Sequence, residues 1–178
     1  GETWFRGLRF LTDSRALIPR SLLVEALQES LPDWLEANQP EWLGEPNQPG
    51  TILDLCTGGG SIAIHAAAQF PQAQVVAVDI DEPAISLCRE NLALHGLDQA
   101  ITLVCSDLLN KVQTPTRFDL ILCNPPYVPT QSMTRLPDEY LSEPELALAA
   151  GADGMDLIRR ILSQARNRLS PAGLLMLE

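Results

Sequence analysis

From residue 51 onward, short apolar runs alternate with stretches of helical periodicity, and this alternation constrains the fold more than any other feature of the sequence. Thr51–Cys56 reads as a short apolar strand, Gly60–Phe70 as a helix and Gln74–Asp79 as a Val-rich strand. Asp81 can cap the next helix, with Pro83 in its first turn and Gly96 just beyond its end. Ile101–Ser106 and Phe118–Cys123 are two further strands. Asp153 can cap a helix whose apolar positions, Ile158, Ile161, Leu162, Ala165 and Leu169, recur on one face. Ser170-Pro171-Ala172-Gly173 is predicted to stop it, and Leu174–Leu177 to begin a strand. Strands that alternate with helices pair in parallel, because the helices carry the crossovers and cover both faces of the sheet. An α/β fold follows, and ligands in such sheets bind at the carboxyl ends of the strands, where the strand order switches.

The first 49 residues read differently. Residues 2–11 are a predicted hairpin turning at Arg6-Gly7, and residues 20–31 a helix with Leu23, Leu27 and Leu31 on one face. Pro32 to Pro49 carries four prolines among polar residues and reads as a linker, with Trp34 and Trp42 anchoring it to a neighbouring surface. The division expected is therefore 1–49, an N-terminal hairpin, helix and linker, and 50–178, the α/β core.

Charge narrows the partners. The net charge is −11, from 23 acidic and 12 basic residues. Phosphate binding needs clustered Lys and Arg, so stable nucleic-acid binding is not expected, whereas a small cofactor or a basic macromolecule suits an acidic surface. Cys56, Cys88, Cys105 and Cys123 lie in apolar runs without paired spacing and read as reduced, buried thiols rather than a disulfide or metal set. His65 reads as a solvated helix residue, and no metal site is expected. No apolar run reaches membrane-spanning length and no signal peptide opens the chain, so a soluble cytoplasmic protein is expected.

Two motifs carry chemistry. The first, Asp54-Leu55-Cys56-Thr57-Gly58-Gly59-Gly60-Ser61, joins a strand to a helix. Glycines let a backbone approach a ligand where a Cβ would clash. Asp79 ends the next strand, where a carboxylate can accept both hydroxyls of a ribose. Gly58-x-Gly60-x-x-Ala63 also fits a dinucleotide turn, so a nicotinamide-dependent oxidoreductase stays open at this point. Asp54 argues against it, since a carboxylate repels a pyrophosphate but suits the sulfonium and ammonium groups of S-adenosylmethionine. Asp107, after the third strand, falls where an adenine edge would lie.

The second motif is Asn124-Pro125-Pro126-Tyr127, directly after the strand Phe118–Cys123. Two prolines fix the backbone and remove donors, so the Asn124 and Pro125 carbonyls stand as rigid acceptors. With the Asn124 side chain and the flat Tyr127 ring, this set suits a planar NH₂ group. Gripping both hydrogens frees the nitrogen lone pair for a methyl donor.

On these residues the chain resembles the Class I S-adenosylmethionine-dependent methyltransferases, and within them the protein-glutamine methyltransferases that modify translation proteins. Amino-methylating adenine enzymes share both motifs. Leu17-Ile18-Pro19-Arg20, Leu136-Pro137-Asp138-Glu139-Tyr140, Glu143-Pro144-Glu145-Leu146-Ala147-Leu148 and Gly151-Ala152-Asp153-Gly154 favour the glutamine branch. Ser21 after Pro19-Arg20 is more similar to enzymes acting on a large-subunit ribosomal protein than to those acting on release factors. The resemblance implies a Rossmann-like Class I sheet, truncated here at its last strands, with an N-terminal hairpin-helix extension. It implies S-adenosylmethionine as cofactor, held by Asp54, Thr57, Gly58, Gly60, Asp79, Ile80, Asp107, Leu108 and Asn124. Asn124, Pro125 and Tyr127 take the catalytic part, and Pro126 and Glu143 join them in binding substrate. The partner implied is a basic ribosomal protein, steered by the acidic side chains Asp138, Glu139, Glu143, Glu145, Asp153 and Asp156.

Overall fold

Residues 1–38, 40–42, 48–135, 144–148, 151 and 153–178 are described by the computed structural model. Parallel pairing builds its main sheet. Thr51–Leu55 (β3), Gln74–Asp79 (β4), Ile101–Cys105 (β5), Phe118–Cys123 (β6) and Leu169–Leu177 (β7) lie in the order β5-β4-β3-β6-β7. Every residue of β3 and β6 is buried, as expected of central strands covered on both faces. The chain runs outward from β3 through β4 to β5, then returns to place β6 on the other side of β3. That reversal is the switch point. Leu55 and Cys123 are register partners, so the segments after β3 and β6 leave the sheet side by side.

Side-chain alternation sorts the core onto two faces. Ile52, Val75, Ala77, Leu120 and Leu122 pack with Ser61–Gln69 (α3) and Glu82–His95 (α4), through Ile64 and Leu92. Leu53, Val76, Val78 and Ile121 pack with Asp156–Arg168 (α5), through Ile161 and Ala165. The first face is closed by the N-terminal segment: Phe10, Val24, Leu27, Leu35 and Trp42 belong to the same buried cluster as Ile52 and Ile64. Residues 1–49 and 50–178 thus share one apolar core.

The hairpin forms where expected, as Glu2–Phe5 (β1) against Leu8–Leu11 (β2), with Arg6 and Gly7 both at positive φ. The helix after it runs longer than predicted. It spans Leu22–Glu25 (α1), a π-turn over Ala26–Ser30 and Leu31–Asn38 (α2), so the first part of the predicted linker is helical. Pro32 does not break it, because the wide turn before it relieves the proline: the Leu31 amide bonds back to Ala26 rather than to Leu27. Trp42 is an anchor, donating its indole N–H to the Ala172 carbonyl at 2.8 Å and stacking with Trp34.

Three further expectations are corrected. β7 begins directly after α5 and runs through Ser170-Pro171-Ala172-Gly173, which forms a bulge rather than a stop. Pro171 falls within that bulge, where a proline can be tolerated, and a Cβ on Gly173 would sit 2.8 Å from the Phe118 carbonyl. Asp81 occupies the N-cap position of α4 but makes no capping bond, while Asp153 lies before the Met155 N-cap of α5 and accepts the Met155 amide at 2.9 Å. His65 is buried, not solvated. Its ring stacks on Phe10 and meets Phe5 edge-on, and burial holds its pKa below the usual value. Of the four free thiols, Cys88 and Cys123 are buried and Cys56 and Cys105 half-buried.

Asp119 escaped sequence reading altogether. It stands fully buried in β6, accepting the Gly50 and Thr51 amides and the Ser170 hydroxyl, and ties β3, β6 and β7 together at their amino ends.

Candidate active site

The turn after β3 is built by hydrogen bonds that its own sequence supplies. Asp54, wholly buried, uses one carboxylate oxygen to accept both the Thr57 hydroxyl at 2.6 Å and the Ala63 amide at 3.0 Å. The other oxygen has no partner among the described residues. Burial pushes this carboxyl up to about 7, with the Asp79 charge adding to the rise and the two donors opposing it. Gly60 takes φ 86°, and a Cβ there would lie 2.5 Å from Cys88 Sγ, so only glycine lets α3 start against α4. The Thr57 amide bonds to the Val78 carbonyl at 3.0 Å, seating the turn across the end of β4.

Asp79 ends β4 facing that turn. One oxygen accepts the Gly58 amide at 2.8 Å and the other the Asp81 amide at 3.0 Å. Burial raises its pKa against these two donors. Asn91, on the buried face of α4, donates to the Gly59 carbonyl at 2.9 Å and accepts the Leu11 amide at 2.7 Å, so it links the glycine turn to the hairpin. A buried asparagine at an apolar position of a helix was the only sequence signal for it, and that signal is weak.

The turns after β3, β4, β5 and β6 surround one cavity of about 780 Å³. Thr57, Gly58, Asp79, Ile80, Asp107, Leu108 and Asn124 line it, as do Pro125, Pro126 and Tyr127. Asp54 and Gly60 do not: they stand behind the turn and shape it. Asp107 is held at 2.6 Å by Arg160 of α5, a partner the sequence did not suggest. Glu143 lies outside the described residues. The segment Leu17 to Ser21 forms a further wall. There the Ser21 hydroxyl accepts the Leu23 amide, capping α1, and donates to the Glu178 carboxylate.

Asn124 is half-buried and lines the cavity. Pro125 is buried and Tyr127 is 54% exposed, so the backbone of the turn is fixed while the tyrosine ring faces the opening. The arrangement brings the Asp79 carboxylate, the Gly58 backbone and the proline-fixed turn of Asn124 and Pro125 to one space. No group of His, Cys, Asp and Glu that could hold a metal ion occurs among the described residues, and none of their helices is long and apolar enough to cross a membrane.

Known proteins resemble this chain. The chain is 47% identical over 178 residues to a ribosomal protein uL3 glutamine methyltransferase of Bordetella pertussis, covering all of this chain and 57% of that protein. It is 42% identical over 183 residues to the protein of the same name from Burkholderia pseudomallei, covering 99% of this chain and 57% of that one. The chain thus spans little more than half the length of these relatives. Among solved structures, the 16S rRNA N2 G1207 methyltransferase of T. Thermophilus, solved with AdoMet and guanosine, superposes with a TM-score of 0.64 at 23% identity, over 99% of this chain and 40% of that one. A SAM-dependent methyltransferase of Agrobacterium tumefaciens gives 0.61 at 24% identity, over 99% and 51%. These two likenesses show a common fold. Residues 41–151 match the family described as Methyltransferase small domain, and the chain belongs to that family.

Proposed function

We propose that this chain binds S-adenosylmethionine and, as the catalytic part of its protein, methylates the side-chain amide nitrogen of a glutamine in a large-subunit ribosomal protein, in the cytoplasm. One juxtaposition carries the reading. Leu55 and Cys123 are paired in register, so the glycine turn and Asn124-Pro125-Pro126-Tyr127 open onto the same cavity. The name of the relatives supplies the substrate class, and the net charge of −11 favours a basic protein over a nucleic acid.

The residues present fit the cofactor. A Cβ at Gly58 would meet only Ala16, at 3.7 Å, so the turn leaves room for a ligand alongside its backbone. Asp79 has lone pairs left for a ribose diol, Ile80 is an exposed apolar wall, and Asp107 supplies an acceptor for an amino group. S-adenosylmethionine supplies a methyl group activated on a sulfonium. The protein's part is orientation: the Asn124 side-chain oxygen and the Pro125 carbonyl each take one hydrogen of the amide, and Tyr127 stacks on its plane. An amide nitrogen is a poor nucleophile, and fixing both hydrogens aims its lone pair at the methyl donor. Alignment of two reactants contributes on the order of 7–11 kcal/mol. The methylated nitrogen is acidic and sheds its proton readily, so no strong base is required beside Asn124.

The test is a methylation assay with labelled S-adenosylmethionine on purified large-subunit ribosomal proteins, with release factors and RNA as parallel substrates. Wild-type protein is expected to label one ribosomal protein on glutamine. Asn124→Ala is expected to lower turnover by about a hundredfold, or roughly 3 kcal/mol of barrier, while cofactor affinity stays within a few-fold. Preferential labelling of RNA, or retention of most of the rate by Asn124→Ala, contradicts the reading.

A further inference from the structure

Tyr127 poses a problem for the reading just given, on which this inference rests. Its ring is 54% exposed, so side-chain packing does little to fix it, yet stacking on a substrate amide demands a fixed ring. Its position must come from the backbone. Pro125 and Pro126 hold the chain on the amino side, while on the carboxyl side the segment before α5 grips it. The Val128 amide bonds to the Leu148 carbonyl at 2.9 Å. The Thr130 amide and hydroxyl both reach the Gly151 carbonyl, at 2.9 and 3.1 Å. Beyond these clamps stands Gly154, buried, with φ 73°. A Cβ there would collide with the backbone carbonyl oxygen of Tyr127 and lie 3.4 Å from Pro129 Cδ.

We propose that Gly154 is a positioning residue for Tyr127: its missing side chain lets the α5 approach lie directly against the Tyr127 carbonyl and so sets where the ring stands. The opposing atom is main chain, and both proline neighbours are stiff, so the turn cannot yield locally to an added methyl group. A side chain at Gly154 must displace the Tyr127 peptide. The approach itself is anchored to α5, because Asp153 accepts the Met155 amide and pairs with Arg159 at 2.5 Å. Gly151 differs in kind. Its Cβ would meet the carboxylate end of Asp156, a side chain that can swing aside.

Tyr127 and Tyr140 are the two tyrosines of the chain, which makes fluorine NMR of 3-fluorotyrosine protein a direct probe. Tyr127→Phe assigns the Tyr127 resonance. Gly154→Ala is expected to shift or broaden that resonance and to lower kcat on a ribosomal protein on the order of a hundredfold, the effect of misplacing a reacting group by about 1 Å. Its affinity for S-adenosylmethionine is expected to stay within threefold (~0.7 kcal/mol). Gly96→Ala is the control for backbone strain alone. Gly96 has φ 66° with nothing within 4 Å of its would-be Cβ, so this variant should lower Tm yet leave the resonance and kcat alone. Thr130→Ala, at an exposed site, removes the hydroxyl clamp without a clash. It is expected to move the Tyr127 resonance and lower kcat by about threefold to tenfold.

A folded Gly154→Ala protein with an unmoved Tyr127 resonance overturns the proposal. If that variant does not fold, Thr130→Ala decides: an unmoved resonance there overturns the proposal equally. A wild type that methylates no ribosomal protein refutes the functional reading instead, and the resonance still reports whether Gly154 positions Tyr127.

Discussion

Asp79 is preorganised by its own neighbours. The amides of Gly58 and Asp81 each bind one of its oxygens, fixing the plane of the carboxylate before any ribose approaches. Asp79→Ala therefore removes a clamp on the glycine turn and, on the proposed function, a ribose contact as well. Affinity for S-adenosylmethionine is expected to fall at least tenfold, or about 1.4 kcal/mol, in a calorimetric titration. Unchanged affinity in a folded variant would put the ribose elsewhere. Asp54 works one layer behind, where burial has raised its pKa from 3.8 to about 7. The folded state thus binds a proton that the unfolded chain releases near pH 4, so this residue's contribution to stability is present at low pH and lost as pH rises toward 7. A shift of this size corresponds to roughly 4 kcal/mol at most. Asp54→Asn keeps an oxygen for Thr57 and Ala63, which share one acceptor, and has no proton to lose. Its Tm is expected to vary less between pH 5 and pH 8 than that of the wild type. Parallel Tm–pH curves for the two proteins would mean that Asp54 ionises normally.

Elements here are shaped by what they pack against as much as by their own residues. The helix from Leu22 to Asn38 passes through Pro32 because a π-turn absorbs the missing amide and because Leu27, Leu31 and Leu35 stay buried through it. β7 likewise accepts Pro171 by collecting its irregularity in one bulge. The start of α3 is the tightest junction. Gly60→Ala combines a left-handed backbone with a Cβ 2.5 Å from Cys88 Sγ. It is expected to cost about 1–3 kcal/mol in urea unfolding by overpacking alone, with a further loss from backbone strain. Gly60→Ala paired with Cys88→Ala should recover the overpacking part, because the thiol is the atom in the way. No recovery in the double variant would assign the whole cost to φ.

At the scale of the molecule, the charge of −11 has a direction as well as a size. Pro144, Leu146 and Ala147 of the segment rich in acidic residues line the cavity, so that segment flanks the proposed entry path of a basic substrate. Reversing Glu139, Glu143 and Glu145 to Lys is expected to lower kcat/KM for a ribosomal protein, and the loss should shrink with added salt. The Debye length falls from about 10 Å at 0.1 M to about 3 Å at 1 M. A loss that is equal at every salt concentration would point to altered structure in place of lost steering. Residues 136–143 lie outside the described residues.

Periodicity alone determined much of this protein. The alternation of strand and helix from residue 51, the two turns that carry chemistry and the hairpin at Arg6-Gly7 follow from local rules, because apolar spacing and glycine or proline at fixed offsets act within a few residues. Tertiary structure decided what depends on partners distant in sequence. The strand order, which brings Gly58 and Asn124 to one cavity, comes from pairings between segments some seventy residues apart. Asn91 joins the hairpin to the glycine turn, Arg160 holds Asp107, and Asp119 ties three strands. His65 reads as solvated from the sequence, and only the hairpin folding over α3 buries it between Phe5 and Phe10. Gly154 was visible as a glycine, but its use was not. A glycine's role is set by the atom that its absent Cβ would strike, and here that atom is the carbonyl oxygen of Tyr127, which only the folded chain brings beside it.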